Sequence, residues 1–379
     1  MMTNIYLIRH AEAEGNLYRR AQGHYDSLLT PRGRRQAEAV GERLAGVPLA
    51  AVYTSDLRRT AATAEVIAAR HGLPALRDRR LREVCLGVWE DRPWGNIEYE
   101  EPEQLAYFTH TPMRWRVEGA EPYPETRTRI LGALADLAAR HEGQSIALVS
   151  HGMVLRCLFS ALLGVPEGDP ERVPHADNTA VSLVRGGNGV FTVEYYGDNS
   201  HLTEGLSTLA RQDWWKDGSG RDTSNLRFAS LDLHRQSELY ADCYADAWRC
   251  AHGTEQGFDR RLYIQAAQKR HRDKASLMAA YRGDDFAGLV ALDERRGAKQ
   301  GIGWISLCYI LPELRGRRYG TQLVGEAVSY FRKHGRRVLR LTVAEENGQA
   351  AGFYRRLGFS EIGRESGALG TLLVMEKGL

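Results

Sequence analysis

The run IYLIRHAEAEGN, residues 5–16, joins four consecutive apolar residues to an Arg-His pair and then to small and polar residues. An unalternating apolar run of this length predicts a strand buried on both faces, and Arg9-His10 then falls at its carboxyl end. The same grammar recurs in AAVYTS (50–55) and SIALVS (145–150), each followed by a helical pattern, over Leu57–His71 with Gly72 ending it and over 152–163. Thr30-Pro31 predicts a helix start, with Ala37, Val40 and Leu44 on one face, and another helix is expected near 125–142. TAVSLVRGGNGVFTVEYY reads as a hairpin turning at Gly186-Gly187-Asn188-Gly189. Strands alternating with helices predict an α/β layered sheet whose ligands sit beyond the carboxyl ends of the strands.

That edge collects a specific chemistry. Arg9 and His10 follow the first strand, Arg59 the second, and His151-Gly152 the third, where a helix start aims backbone N–H groups outward. Arginine forks fit phosphate oxygens, and two cations beside an imidazole favour its neutral, nucleophilic form. Phosphoryl transfer to a histidine is the reaction such a set serves, with Glu83 as the acid that protonates the leaving oxygen. An accidental Arg-His pair on a surface is the alternative, and the ordered set argues against it.

LIRHAEAEGN, YTSDLRRTAATA, LREVCLGVWED and LVSHGMVLR together resemble the histidine phosphatase superfamily, with its three-layer phosphoglycerate-mutase-like α/β fold, over about residues 3–205. The resemblance implies His10 as the phosphorylated nucleophile, Arg9, Arg59, His151 and Gly152 around the phosphate, Asn16 and the backbone near Gly23 as further phosphate contacts, and Glu83 as proton donor. Ala11 stands where the family usually has Gly. The stretch between Glu83 and His151 looks shorter than in cofactor-dependent mutases, which favours a hydrolase. His201 reads as structural. His24 and Asp26 fall in a substrate-side or merely solvated loop, and Glu98, Glu100, Glu101 and Glu103 read as a solvated face.

The second half changes pattern. After LRFASLDL come two helices (about 235–252 and 258–271), the strands SLMAAY, FAGLVALDE and GWISLCYIL, a helix over 320–334, the strand RVLRLTVA, a helix over 347–357 and a last strand near 369–376. ISLCYILPELRGRRYGTQLVGEAV is a strand, a Pro-broken end, a Gly/Arg turn and a helix start, an anion cradle in outline. With LRLTVAEENGQAAGFYRRLGFSEIG it resembles the GNAT acetyltransferase superfamily, an α+β fold, over about 225–379. The resemblance implies acetyl-CoA as cosubstrate, a pyrophosphate loop at Arg315-Gly316-Arg317-Arg318-Tyr319-Gly320 continuing into Thr321, and backbone contacts from the splayed strand ending at Ile310. It further implies Asn347 against the pantetheine arm and Tyr354 as the acid for the leaving thiolate. Arg318 occupies the place of the loop's usual first Gly. No Glu lies on the splayed strand, so Glu345, Glu346 or a water chain is left as base, and His252, Glu255 and Asp259 are candidates for the acceptor side.

Charge separates the same two halves. Residues 1–210 hold 23 Arg, no Lys and 27 acids, a net −4, whereas 211–379 hold 28 bases and 21 acids, a net +7, against +3 for the whole chain. We therefore divide the chain into a phosphatase domain (1–208), a linker (209–225, carrying Trp214 and Trp215) and an acetyltransferase domain (226–379). Five scattered cysteines read as free thiols, with Cys243 and Cys250 expected on one core-facing side of a helix. No apolar run reaches membrane-spanning length and no signal segment is legible, so a cytoplasmic protein is expected. No metal spacing appears. Basic residues without interleaved aromatics exclude nucleic acid as the expected partner, and oligomeric state is not legible. The expected protein is bifunctional, releasing phosphate from a small-molecule monoester and acetylating an amine, with both steps on one metabolite as the working hypothesis. The alternatives are a phosphoprotein or sugar-phosphate phosphatase, or a phosphomutase, regulated by a non-catalytic acyl-CoA-binding domain.

Overall fold

The structure is a computed structural model, and it describes residues 1–166, 172–187, 189–212, 224–271 and 273–379. Two compact units emerge: Met1–Arg92 with Glu100–Thr223, and Pro93–Tyr99 with Ser224–Leu379. Most of the expected linker, with Trp214 and Trp215, and Asn188 of the expected hairpin turn lie outside the described residues.

In chain order the first unit runs β1 (Thr3–Arg9), α1 (Glu14–Tyr18), α2 (Pro31–Leu44), β2 (Leu49–Thr54), α3 (Arg58–Arg70) and β3 (Ala75–Arg77). The segment α4 (Trp94–Glu100) falls almost wholly to the second unit. The first unit resumes with α5 (Pro102–His110), α6 (Tyr123–Arg140), β4 (Ser145–Ser150), α7 (Gly152–Leu162), β5 (Val181–Gly187) and β6 (Val190–Asp198). Its sheet has the order β3-β2-β4-β1-β5-β6. β1 pairs parallel with β4, and β4 with β2, so the three chemistry-bearing strands are neighbours with their carboxyl ends at one edge. Both faces are covered, one cluster holding Ile5, Leu7, Ile146 and Leu148 and the other Ile8, Val52, Ala147 and Val149. That two-sided burial explains why these strands read as apolar runs without alternation. Thr30 caps α2 by accepting from the Gly33 N–H at 2.9 Å, with Pro31 at the first helical position.

The second unit comprises β7 (Arg227–Ser230), α8 (Ser237–His252), α9 (Arg260–Arg270), β8 (Leu277–Arg282), β9 (Asp285–Asp293), β10 (Ile302–Ile310), α10 (Tyr319–Lys333), β11 (Val338–Ala344), α11 (Gly348–Arg356), β12 (Ser360–Gly367) and β13 (Gly370–Gly378). They form a sheet of order β12-β13-β11-β10-β9-β8-β7, antiparallel except for the β10–β11 pair. All five cysteines are free. The expectation that Cys243 and Cys250 share a core face is corrected: Cys243 is buried among Tyr240 and Leu289, whereas Cys250 is exposed and accepts from Arg315. Seven residues advance a helix by nearly two turns, but α8 buries residues only over Tyr240–Ala245, in its first half. Among the described residues no helix is long and apolar enough to cross a membrane, and no group of His, Cys, Asp and Glu is arranged to hold a metal.

Candidate active site

At the edge of the first sheet, β1, β2 and β4 deliver His10, Arg59 and His151 to one buried locus. The two imidazole centroids lie 5.2 Å apart. His10 Nδ1 donates to its neighbour's carbonyl, Ala11 O, at 2.8 Å, which fixes the tautomer because a carbonyl only accepts, and leaves Nε2 as the free lone pair. Ala11 is buried and its backbone does not need the left-handed region, so the departure from Gly is accommodated; its N–H donates to Thr63 Oγ1 at 3.0 Å. The His10 carbonyl is held by the Asn178 amide at 2.8 Å.

Burial first, then the Arg59 and Arg9 guanidiniums, holds the His10 pKa well below its usual 6.5. His151 is lowered in the same sense by burial, Arg59 and His10. Its Nε2 lies 2.9 Å from Ser55 Oγ, itself 2.6 Å from Thr60 Oγ1, while its Nδ1 is buried without a partner among the described residues. Arg9 Nε and Arg59 Nε are buried and unpartnered too. The rest of each guanidinium is tied to backbone carbonyls: Arg9 to Ala176 O at 2.7 Å, Arg59 to Gly23 O at 2.7 Å and Tyr25 O at 2.9 Å. Burial lowers the Arg59 pKa to about 10, so it stays charged at neutral pH. Two buried cations and an imidazole with orphaned polar atoms are built to receive an anion.

Glu83 straddles the start of α7, its oxygens accepting from Met153 N at 3.1 Å and Val154 N at 2.9 Å. Both arginines feel its charge. Gly152 permits the close approach of this helix to Arg9: a Cβ there would stand 3.3 Å from Arg9 Nε. The remaining expected phosphate contacts are placed less directly. The Asn16 side-chain Oδ1 accepts from Ala13 N at 3.0 Å, and the Gly23 N–H donates to Glu90 at 3.1 Å, so the Gly23 amide already has a partner. Glu90 was not singled out in the sequence, yet it accepts from Gly23, His24, Tyr25 and Leu86 N–H groups and pins the loop whose carbonyls hold Arg59. His24 Nε2 donates to Glu83 O at 3.0 Å, and Asp26 accepts from Arg58 N at 2.7 Å. His201 bridges Thr179 Oγ1 and Arg43, each at 3.1 Å. Thr179, a β-branched residue at φ +61°, bonds the Arg9 carbonyl through its own N–H at 3.0 Å, so strain sits directly against the site. Glu100 and Glu101 pair with Arg92, and Glu103 accepts from Tyr107, which fits a solvated face.

In the second sheet β10 and β11 pair from Ile302–Val338 to Ile305–Leu341 and then part. β11 stays with β13 as far as Ala344, and β10 stays with β9 to Ile310 after a register shift between Ile305 and Leu307. The backbone edge of Ser306–Ile310 facing the gap is thus released from the ladder. Beyond it Gly316 (φ +77°) and Arg318 (φ +67°) both adopt the left-handed region before α10 begins at Tyr319. Arg318 keeps the backbone shape for which the position favours Gly. The Arg315 side chain is engaged away from any pyrophosphate, donating to Ile310 O at 2.9 Å, Cys250 Sγ at 3.1 Å and Asp246 at 2.7 Å, which leaves its backbone as its contribution to the loop. Arg317 is exposed, Gly320 lies against the Phe353 ring, and Thr321 Oγ1 donates to Arg318 O at 2.6 Å. Asn347 caps α11 by accepting from Ala350 N at 3.1 Å.

Tyr354, on α11, is buried; burial first and then the neighbouring Cys308 thiol of β10 raise its pKa well above 10, so it is a neutral phenol. Burial pushes the Cys308 thiol up to about 12. Of the acids considered as base, Glu345 pairs with Arg364 and Glu346 is exposed. Asp259 caps α9 through Leu262 N at 3.0 Å, Glu255 pairs with Arg249, and His252 packs on Trp248.

Comparison with known proteins agrees with both halves. The family model for the histidine phosphatase superfamily (branch 1) matches residues 5–199, and that for the acetyltransferase (GNAT) family matches residues 236–359. The probable phosphoglycerate mutase GpmB of Salmonella typhi is 37% identical over 216 residues, 55% of this chain and 100% of the relative. Its counterpart from Salmonella choleraesuis (strain SC-B67) is 36% identical over 206 residues, 53% of this chain and 95% of the relative. Among solved structures, Bacillus stearothermophilus YhfR superposes with a TM-score of 0.52 at 36% identity, covering 53% of this chain and 100% of that one.

Proposed function

The chain belongs to the histidine phosphatase superfamily over its N-terminal half and carries a GNAT-family acetyltransferase domain after it, and from that premise we propose that it is a bifunctional enzyme. The first site hydrolyses a small-molecule phosphate monoester. His10 Nε2 attacks phosphorus, the P–O ester bond breaks, and Glu83 gives the leaving oxygen its proton. Water then cleaves the P–N bond and inorganic phosphate leaves. Arg9, Arg59 and His151 hold the phosphoryl oxygens as charge develops on them. The observation that carries this reading is the neutral, tautomer-fixed His10 between two buried guanidiniums whose Nε atoms are unpartnered. Tracking phosphate release across a panel of metabolite monoesters tests it, with His10→Ala as the control.

The second site transfers acetyl from acetyl-CoA to an amine. The released backbone of Ser306–Ile310 offers partners to the amides of the pantetheine arm, and the N-terminus of α10 with the 315–320 loop offers an anion cradle. Tyr354 returns a proton to the departing thiolate. The parting of β10 from β11 in front of a buried neutral phenol supports this, and release of free thiol from acetyl-CoA in the presence of an amine tests it. We further propose that both steps serve one metabolite bearing a phosphate ester and an amine; the test is whether the product of either site is accepted by the other.

A phosphomutase in the first half is a second reading, favoured by the printed name of the GpmB relatives. Migration of phosphate within a substrate, without free phosphate, distinguishes it.

A further inference from the structure

We infer that Asp177 is a positioning residue for the first site, and that through it residues 199–209, the stretch leading into the linker, set the geometry of the Arg9-His10 pair; this rests on the phosphohistidine reading above. The turn over residues 176–180 backs that dipeptide. The Arg9 N–H donates to Ala180 O at 3.2 Å, and the Arg9 carbonyl accepts from Thr179 N at 3.0 Å. The His10 carbonyl accepts from Asn178 Nδ2 at 2.8 Å, and Arg9 Nη1 donates to Ala176 O at 2.7 Å. One turn thus places both the guanidinium and the imidazole. Thr179 holds φ +61° within it, a strained conformation that surrounding bonds must maintain. Asp177 stands at the centre and closes the turn, its carbonyl accepting from Ala180 N at 3.1 Å.

The Asp177 side chain is buried, and its carboxylate is met almost wholly by one stretch of chain. Oδ1 accepts from Asn178 N at 2.8 Å, Thr208 N at 3.0 Å and Leu209 N at 3.2 Å. Oδ2 accepts from Asn199 Nδ2 at 3.2 Å and from Ser207 Oγ. Four of these five donors belong to residues 199–209, and Leu209 is the first residue of the expected linker. The same stretch supports the strained residue, since His201 lies 3.1 Å from Thr179 Oγ1. It also reaches the other flank of His10: Gln36 accepts from Glu12 N at 2.7 Å and donates to Leu206 O at 2.7 Å and Thr208 Oγ1 at 3.0 Å.

A buried carboxylate is tolerated only while its oxygens are satisfied, so the turn and residues 199–209 hold each other in one arrangement. The charge serves the pocket as well. Burial draws the Arg9 pKa down, and Asp177 is the first of the groups that oppose it. An amide in place of the carboxylate keeps the shape but loses that charge. Whichever oxygen becomes NH2 then faces donors instead of accepting from them: three backbone N–H groups on one side, a hydroxyl and an amide on the other. The turn must shift, and Arg9 and His10 shift with it.

The test measures turnover of p-nitrophenyl phosphate by the full chain, per folded molecule and well below each variant's Tm. Asp177→Asn is expected to lower kcat about 30-fold and to change KM less than about 3-fold, because Arg59 and His151 still hold the phosphate. Ser207→Ala and Asn199→Ala leave the turn's own residues intact and are each expected to lower kcat about 5-fold. Ser207→Ala is expected to add less than about 2-fold on top of Asp177→Asn, since its bond acts through the carboxylate. Unchanged kcat in Asp177→Asn overturns the inference, as does unchanged kcat in both other variants should that one fail to fold. A Ser207→Ala loss that multiplies in full with that of Asp177→Asn overturns it too. Absence of phosphate release from any monoester by the wild-type chain, or a wild-type rate in His10→Ala, instead overturns the phosphohistidine reading itself.

Discussion

Gly152 lies against the guanidinium of Arg9, so close that a single added carbon would stand 3.3 Å from Nε and 3.4 Å from Cζ. The first turn of α7 thus leaves room for the Arg9 guanidinium only because residue 152 has no side chain. Gly152→Ala is expected to displace Arg9 and lower kcat/KM for p-nitrophenyl phosphate about 10-fold, a loss of about 1.4 kcal/mol. Unchanged kinetics would show that Arg9 moves freely.

His10→Ala removes the proposed nucleophile, a side chain that belongs to the first sheet's edge alone. Phosphate release is expected to fall by about 10³-fold or more, while thiol release from acetyl-CoA persists. A variant that kept its phosphatase rate would rule out the histidine mechanism.

Acid is expected to destabilise the first unit. His10, His151 and His175 are held well below 6.5, each by burial first and then by neighbouring arginines, so below pH 6.5 the unfolded chain binds protons that the folded chain does not. Stability therefore falls as pH drops from about 6.5, by up to about 1.4 kcal/mol per pH unit for each residue, and is level for these groups above pH 7. Denaturant melts at pH 7.5, 6 and 5 measure the slope. A flat profile would mean that these imidazoles titrate alike folded and unfolded.

Arg318 holds a left-handed backbone at φ +67°. Arg318→Gly is expected to stabilise the chain by about 1 kcal/mol, read as a raised Tm, because the Cβ clash disappears. Loss of stability would mean that contacts of the Arg318 side chain outweigh the backbone relief.

Glu90 gathers four backbone N–H groups, and Glu90→Ala strands them. A loss of about 3 kcal/mol is expected by denaturant melt, with phosphatase activity falling further than the folded fraction, since the same loop supplies the carbonyls that hold Arg59.

The strands that carry His10 and His151 were legible because apolar runs buried on two faces leave a local imprint, and the Arg and His residues stand at their ends. Glu90 and Asn178 were not legible, because Glu90, apart from its bond to Leu86, acts on residues 65 to 67 positions away and Asn178 on one 168 positions away, separations that leave no local pattern. The three-residue β3 and the five-residue α1 are too short to show a period. The left-handed turn before α10 was legible in its Gly/Arg spacing, yet the direction of the Arg315 side chain depended on Asp246, far off on α8.

The bond from His10 Nδ1 to the Ala11 carbonyl has an outcome for isomer chemistry. A phosphoryl group on this histidine is confined to the 3-phosphohistidine isomer, since the other nitrogen is spent on a carbonyl that cannot give up its donor without turning the ring. Phosphorus NMR of an acid-free quench should therefore show one isomer, and an antibody selective for 1-phosphohistidine should be blind to the enzyme throughout turnover.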